Sequence, residues 1–196
     1  GGIFGVQANN QGSGTITVTD CYSSGSITGT LAGGLFGSSA NYYSQNATIT
    51  VTNCYSTGDI LGNSAGGIVG MRANRNSETG SEIVVANCYS TGDISDSAIE
   101  AGGFFGSQAN YQSSAAITVR NSYSYGPVSA PERGIIGGNA NTDNLPTVTD
   151  CYVANGEWHD TGDDNITQGL TDAMYQSAEA AGLATQYNGS NVFINP

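Results

Sequence analysis

The side chains best equipped for chemistry gather in one stretch: Glu157, Trp158, His159, Asp160, Asp163 and Asp164. Carboxylates at this spacing suit an acid pair or an oxygen-lined calcium loop. The plainer reading is a solvated polar loop, and that is the reading adopted. Glu157, Asp160, Asp163 and Asp164 are kept as a calcium candidate; no cofactor is required. Four cysteines form the second group: Cys21, Cys54, Cys88 and Cys151. No C-x-x-C pair occurs, so neither zinc nor dithiol redox chemistry is indicated. Aromatic side chains that could stack on a sugar stand at Tyr42, Tyr43 and Tyr111. The four arginines (Arg72, Arg75, Arg120 and Arg133) show no common spacing, and lysine is absent.

What must position these groups is a repeat. The first block occurs as Gly2–Asn9 (GIFGVQAN), Gly34–Asn41 (GLFGSSAN), Gly67–Asn74 (GIVGMRAN), Gly103–Asn110 (GFFGSQAN) and Gly134–Asn141 (GIIGGNAN). The second follows as Ile16–Ile27, Ile49–Ile60 (ITVTNCYSTGDI), Ile83–Ile94, Ile117–Val128 and a degraded copy from Pro146. Copies begin near residues 2, 34, 67, 103 and 134, at spacings of 31 to 36 residues. Such a period denotes stacked supersecondary units rather than one central core.

Within each copy, Ile16 and Val18 alternate with Thr17 and Thr19, and Ile49 and Val51 with Thr50 and Thr52. Period two with β-branched residues predicts a half-buried strand. The G-x-x-G block predicts a short strand between bends, and a third strand is expected near Ile27, Ile60, Ile94 and Val128. Gly25, Gly58, Gly92 and Gly126, with Asn155 at the same phase, suggest a left-handed backbone position. Asp20, Asn53, Asn87, Asn121 and Asp150 are placed to hydrogen-bond a turn.

Three ladders are expected inside the stack. Cys21, Cys54, Cys88 and Cys151 share one column with Ser122, which favours packing over disulfides between copies. Asn9, Asn41, Asn74, Asn110 and Asn141 form an amide column; Tyr22, Tyr55, Tyr89, Tyr123 and Tyr152 form an aromatic one. Three strands per repeat predict an all-β, right-handed, three-sided parallel β-solenoid (β-helix) of about five coils, roughly 24 Å long. The solenoid is assigned to residues 1–165. A cap over 166–196 is expected to hold a helix at Leu170–Thr185 and a strand at Asn191–Ile194.

Composition restricts the partners. Sixteen acidic residues against four arginines give a net charge of −12. That excludes nucleic acid and anionic membrane surfaces, and no apolar run approaches the ~18 residues a spanning helix needs. The first residue falls inside a repeat block, without Met or signal peptide, as expected of a processed product or an excised segment. Sequons at Asn46, Asn165 and Asn188 are candidate N-glycosylation sites.

The copies resemble the GLUG motif, a repeat named for its G-L-x-G core. Gly34-Leu35-Phe36-Gly37 matches it literally, and N-C-Y-S-T-G-D-I recurs at Asn53–Ile60 and Asn87–Ile94. The resemblance covers about residues 1–165 and weakens in the fourth and fifth copies. It implies a cell-surface, adhesin-like or accessory role and transfers no catalytic residue. The sequence therefore predicts a non-enzymatic extracellular structural or adhesive protein, serving as stalk, fibre subunit or adhesin segment. Its expected partners are neighbouring repeats or copies of itself, docked on the N-terminal edge, and surface glycans or a host receptor. A carbohydrate-binding or carbohydrate-active β-helix acting through its loops is the alternative. Ice binding through Thr17/Thr19, Thr50/Thr52 and Thr147/Thr149 is more remote, because Val84/Ala86 and Arg120 interrupt the rows.

Overall fold

The structure, a computed structural model, describes residues 1–124, 135–138, 144, 146–149, 151–153, 167–168, 184–187 and 190–193. The alternating segments become strands β1 (Thr15–Thr19), β3 (Thr48–Thr52), β5 (Glu82–Ala86), β7 (Ala116–Arg120) and β9 (Thr147–Thr149). Between them lie two-residue strands: β2 (Tyr22–Ser23), β4 (Tyr55–Ser56), β6 (Tyr89–Ser90), β8 (Tyr123–Ser124) and β10 (Tyr152–Val153), joined by β11 (Thr167–Gln168).

The odd-numbered strands β1, β3, β5, β7 and β9 form one parallel sheet, while β2, β4, β6, β8, β10 and β11 form another. Each copy therefore pairs with the copy before and after it, which is a β-solenoid. Register is in phase with the sequence: Ile16 lies on Ile49, Ile49 on Ile83 and Ile83 on Ile117. A slip of one residue would turn every isoleucine outward, so the alternation itself locks the stack.

The inward side chains Ile49, Val51, Ile83, Val85 and Val119 are fully buried against Leu35, Phe36, Ile68, Phe104 and Phe105. Each such side chain contributes about 1.5–3 kcal/mol by leaving water. A smaller apolar cluster, Ile27, Ile60, Ala65, Ile94, Ala98 and Ala101, packs separately.

Several expectations change. The third strand reduces to single parallel bridges, Ile27–Ile60 and Ile60–Ile94, and the G-x-x-G strand to bridges Phe4–Phe36, Phe36–Val69, Val69–Phe105 and Phe105–Ile136. Glycines and loops crowd these positions, so pairing cannot extend beyond one residue. Gly126 and Val128 lie outside the described residues.

Gly25, Gly58 and Gly92 are not left-handed; among the described residues the only glycine with positive φ is Gly80, at 92°. Their constraint is spatial. A Cβ on Gly58 would collide with the carbonyl of Gly25, and one on Gly92 with the carbonyl of Gly58. The left-handed positions belong instead mostly to polar residues, including Asn9, Asn41, Asn74 and Asn110 at φ 52–57°, with Leu31 an apolar exception.

No helix occurs among the described residues. Ala184 and Thr185, at the end of the predicted helix, belong to β12 (Ala184–Tyr187), which pairs antiparallel with β13 (Ser190–Phe193). The rest of that helix lies outside the described residues. The sequence between these strands, Asn188-Gly189, lies outside the described residues; this dipeptide commonly marks a tight hairpin.

Candidate functional site

Stacking turns sequence columns into physical ladders. Tyr22 and Tyr55 stack with centroids 5.1 Å apart, and Tyr55 and Tyr89 at 4.7 Å. Exposure falls along the row, from 60% at Tyr22 to 4% at Tyr123. Burial, and secondarily the neighbouring Tyr55, push the Tyr89 phenol up to about 12. Tyr152 continues the backbone ladder by pairing with Tyr123.

The cysteines carry thiols, and no disulfide joins them. Cys54 Sγ donates to the Thr52 carbonyl at 3.2 Å and Cys88 Sγ to that of Ala86 at 3.2 Å. In the Ser122 copy the hydroxyl repeats the pattern, donating to the Arg120 carbonyl at 2.8 Å and accepting from Cys88 N at 3.1 Å. A hydrogen bond from the Cys88 thiol is the main reason the Cys54 thiol falls to about 7, while burial drives Cys88 well up.

The corner residues bond to one another rather than to the turn. Asn121 Nδ2 donates to Asn87 Oδ1 at 3.4 Å, Asn87 to Asn53 at 3.2 Å, and Asn53 to Asp20 at 3.1 Å. Asp150 lies outside the described residues. The inner amides behave differently. Asn9 donates to Asn41 Oδ1 at 3.0 Å, whereas Asn41 and Asn74 reach backbone carbonyls of Glu82, at 3.0 Å, and Ala116, at 2.6 Å. The last two bonds tie each amide to the first residue of a neighbouring strand.

The loops after the Asn column bring together what the sequence left apart. Arg75 lies over the Tyr111 ring at 5.3 Å, and its Nη1 donates to Gln108 Oε1 at 2.8 Å. Arg72 Nε reaches the same oxygen at 3.5 Å. Tyr43 N donates to the Arg75 carbonyl at 3.1 Å, and the Tyr43 ring meets Tyr42 edge-on at 4.4 Å. Two guanidinium groups thus share one neutral acceptor. Like charges converging on one acceptor repel, the more so where water is excluded. Among the described residues no carboxylate is paired with either guanidinium, and Glu78 accepts from Gln45 Nε2 at 2.8 Å. Arg75 Nε is itself buried without a hydrogen-bond partner.

Arg72 and Arg75 stand at different repeat phases, as the sequence indicates, yet both reach Gln108. Arg75 follows Asn74 as Tyr42 follows Asn41 and Tyr111 follows Asn110, so the three residues form one column. Gln108 was not singled out, because its role depends on Arg72 and Arg75 reaching it from the preceding copy.

Other predicted sites divide cleanly. Asn46 is exposed, at φ 52°. Asn141, Glu157, Asp160, Asp163, Asp164, Asn165 and Asn188 lie outside the described residues, as do Trp158 and His159. Among the described residues no group of three metal-ligating side chains forms, and no helix is long and apolar enough to cross a membrane. Comparison with protein families, curated proteins and solved structures finds no match for this chain.

Proposed function

We propose that this chain is a non-enzymatic, extracellular structural or adhesive element, a stiff rod used as a stalk, fibre subunit or adhesin segment. The observation that carries the reading is the in-phase stacking of Ile16, Ile49, Ile83 and Ile117 together with the Tyr22–Tyr55–Tyr89 stack. Hydrogen bonds from copy to copy run along the stacking direction, which favours stiffness over a closed catalytic cleft. The finer form of the proposal is a right-handed, three-sided solenoid of about five coils over residues 1–165, closed by a cap over 166–196.

The first copy supports the partner assignment. Asn41 N, Asn74 N and Asn110 N each donate to the copy before, on Ala8, Ala40 and Ala73. Among the described residues Asn9 N has no such partner, and Tyr22 is 60% exposed, so this edge is the surface the proposed copy-to-copy docking would use. The acidic surface disfavours nucleic acid, and no membrane insertion is proposed. The resemblance to GLUG repeats accords with a surface location.

Electron microscopy of the protein isolated from its source tests the proposal. Long fibres would make it a filament subunit; discrete narrow rods would make it a stalk or adhesin segment. Compact particles without an axis would overturn it. A carbohydrate-binding reading is favoured specifically by the Tyr42, Tyr43 and Tyr111 loops. Ice binding gains nothing, because Arg120 stands in register with Ala86 and Thr149.

A further inference from the structure

We propose that the loop cluster of Arg72, Arg75, Gln108 and Tyr43 is a binding site for a carboxylate-bearing sugar of the uronate type. The inference rests on the adhesive half of the function proposed above, and supplies its ligand class. Three observations converge. Arg75 Nη1 and Arg72 Nε meet on Gln108 Oε1, at 2.8 and 3.5 Å, and among the described residues no carboxylate is paired with either arginine. In a chain of net charge −12 with four basic residues, two are spent side by side on a neutral acceptor. An incoming carboxylate would relieve their repulsion and accept paired N–H bonds from a planar donor set.

The surroundings select a sugar over a bare anion. Tyr43 is 51% exposed, and Tyr42 braces it edge-on. An exposed ring backed by a second ring is a platform for the apolar C–H face of a pyranose. Tyr111 lies beneath Arg75 and holds the guanidinium through its π-face. The Gln108 side-chain amide retains its N–H groups for sugar hydroxyls. A neutral sugar would leave both charges uncompensated, and a small anion would leave Tyr43 unused.

Titration of the full-length chain with a galacturonate trisaccharide, followed by calorimetry and by amide chemical shifts, tests this. Saturable binding is expected, with shifts centred on Arg72, Arg75, Gln108 and Tyr43. Methyl-esterified trisaccharide should bind roughly tenfold more weakly, as should the Arg75→Gln and Arg72→Gln variants, which keep polar side chains without the charge. Tyr43→Asn should lose a similar factor, and asparagine tolerates the left-handed backbone at that position (φ 52°). Circular dichroism of each variant establishes that the fold is retained. No saturable binding, equal affinity for the esterified sugar, or an affinity for inorganic sulfate or an acidic peptide matching that for the trisaccharide would each overturn the proposal. Rods seen by microscopy for the Arg72→Gln/Arg75→Gln double variant separate failure of this site from failure of the rod.

Discussion

Replacing one glycine of the repeat by alanine should have opposite effects in different copies. At Gly92 a Cβ would strike the Gly58 carbonyl group and lie 2.9 Å from Asp59 N, all backbone atoms with no side chain to swing aside. The copies would have to separate locally. The bonds at risk are Thr91 N to Ser56 O at 2.9 Å and Ile60 N to Asp93 O at 2.8 Å. Overpacking costs ~1–3 kcal/mol, and a buried backbone group left unmade adds ~1–3 kcal/mol. Restricting the unfolded chain returns ~0.4–1 kcal/mol. The net expectation for Gly92→Ala is a loss of roughly 2–4 kcal/mol. At Gly25 a Cβ would meet nothing within 4 Å, and the backbone is not left-handed. Gly25→Ala should therefore gain ~0.4–1 kcal/mol. Urea denaturation followed by circular dichroism measures both, and hydrogen exchange at Thr91 and Ile60 shows whether the loss is local, as a nearest-neighbour stack predicts. Equal destabilisation at Gly25 and Gly92 would refute the reasoning and restore a left-handed requirement; so would an unaffected Gly92→Ala.

Asn74→Ala should destabilise by ~1–3 kcal/mol, because it removes the bond to the Ala116 carbonyl and places alanine at a left-handed φ of 52°. Asn74→Gly should recover about 1 kcal/mol of that; equal losses in thermal melts would show that the backbone position is immaterial. Cys88→Ser should cost no more than about 1 kcal/mol, since Ser122 already fills this column with the same carbonyl bond. A collapse in the melt would mean the thiol has a role that packing does not explain. Tyr89 titrates near 12 in the fold against 10 when unfolded, so the folded state holds its proton longer. Its stabilising effect is complete below pH 10 and declines as pH rises towards 12. Ultraviolet titration should show a late-ionising phenol that disappears in the Tyr89→Phe variant, with the urea midpoint of the parent chain falling over the same range; a titration curve unchanged by Tyr89→Phe above pH 10 would contradict this.

Much of the fold is legible in the sequence because stacking converts period into contact. Ile-Thr-Val-Thr specifies both the strand and its buried face, and identical spacing specifies which isoleucine lies on which. Short elements escape this logic. Tyr22–Ser23 and its counterparts are two residues long, too brief for any alternation to register. The phase of Gly58 is visible, but not its reason: close approach and positive φ both demand glycine. Asn188-Gly189 was a readable hairpin signal, masked by the alanine-rich run before it. The Arg72–Arg75–Gln108 cluster depends on loops of unequal length, yet one clue was available, because Arg75 occupies the column of Tyr42 and Tyr111.

The bonds between copies point along the stack, so a pull on its two ends loads them in line and in series. Adjacent copies are spaced about 4.8 Å apart. Each contains some 33 residues, the offset from Ile16 to Ile49, and released chain can extend to roughly 110 Å. One copy letting go would therefore lengthen the tether about twentyfold relative to its stacked rise. The copies beneath would still hold and would still offer a template for rewinding. Under tension such a molecule behaves as a ratcheted spool, yielding turn by turn while its anchorage survives.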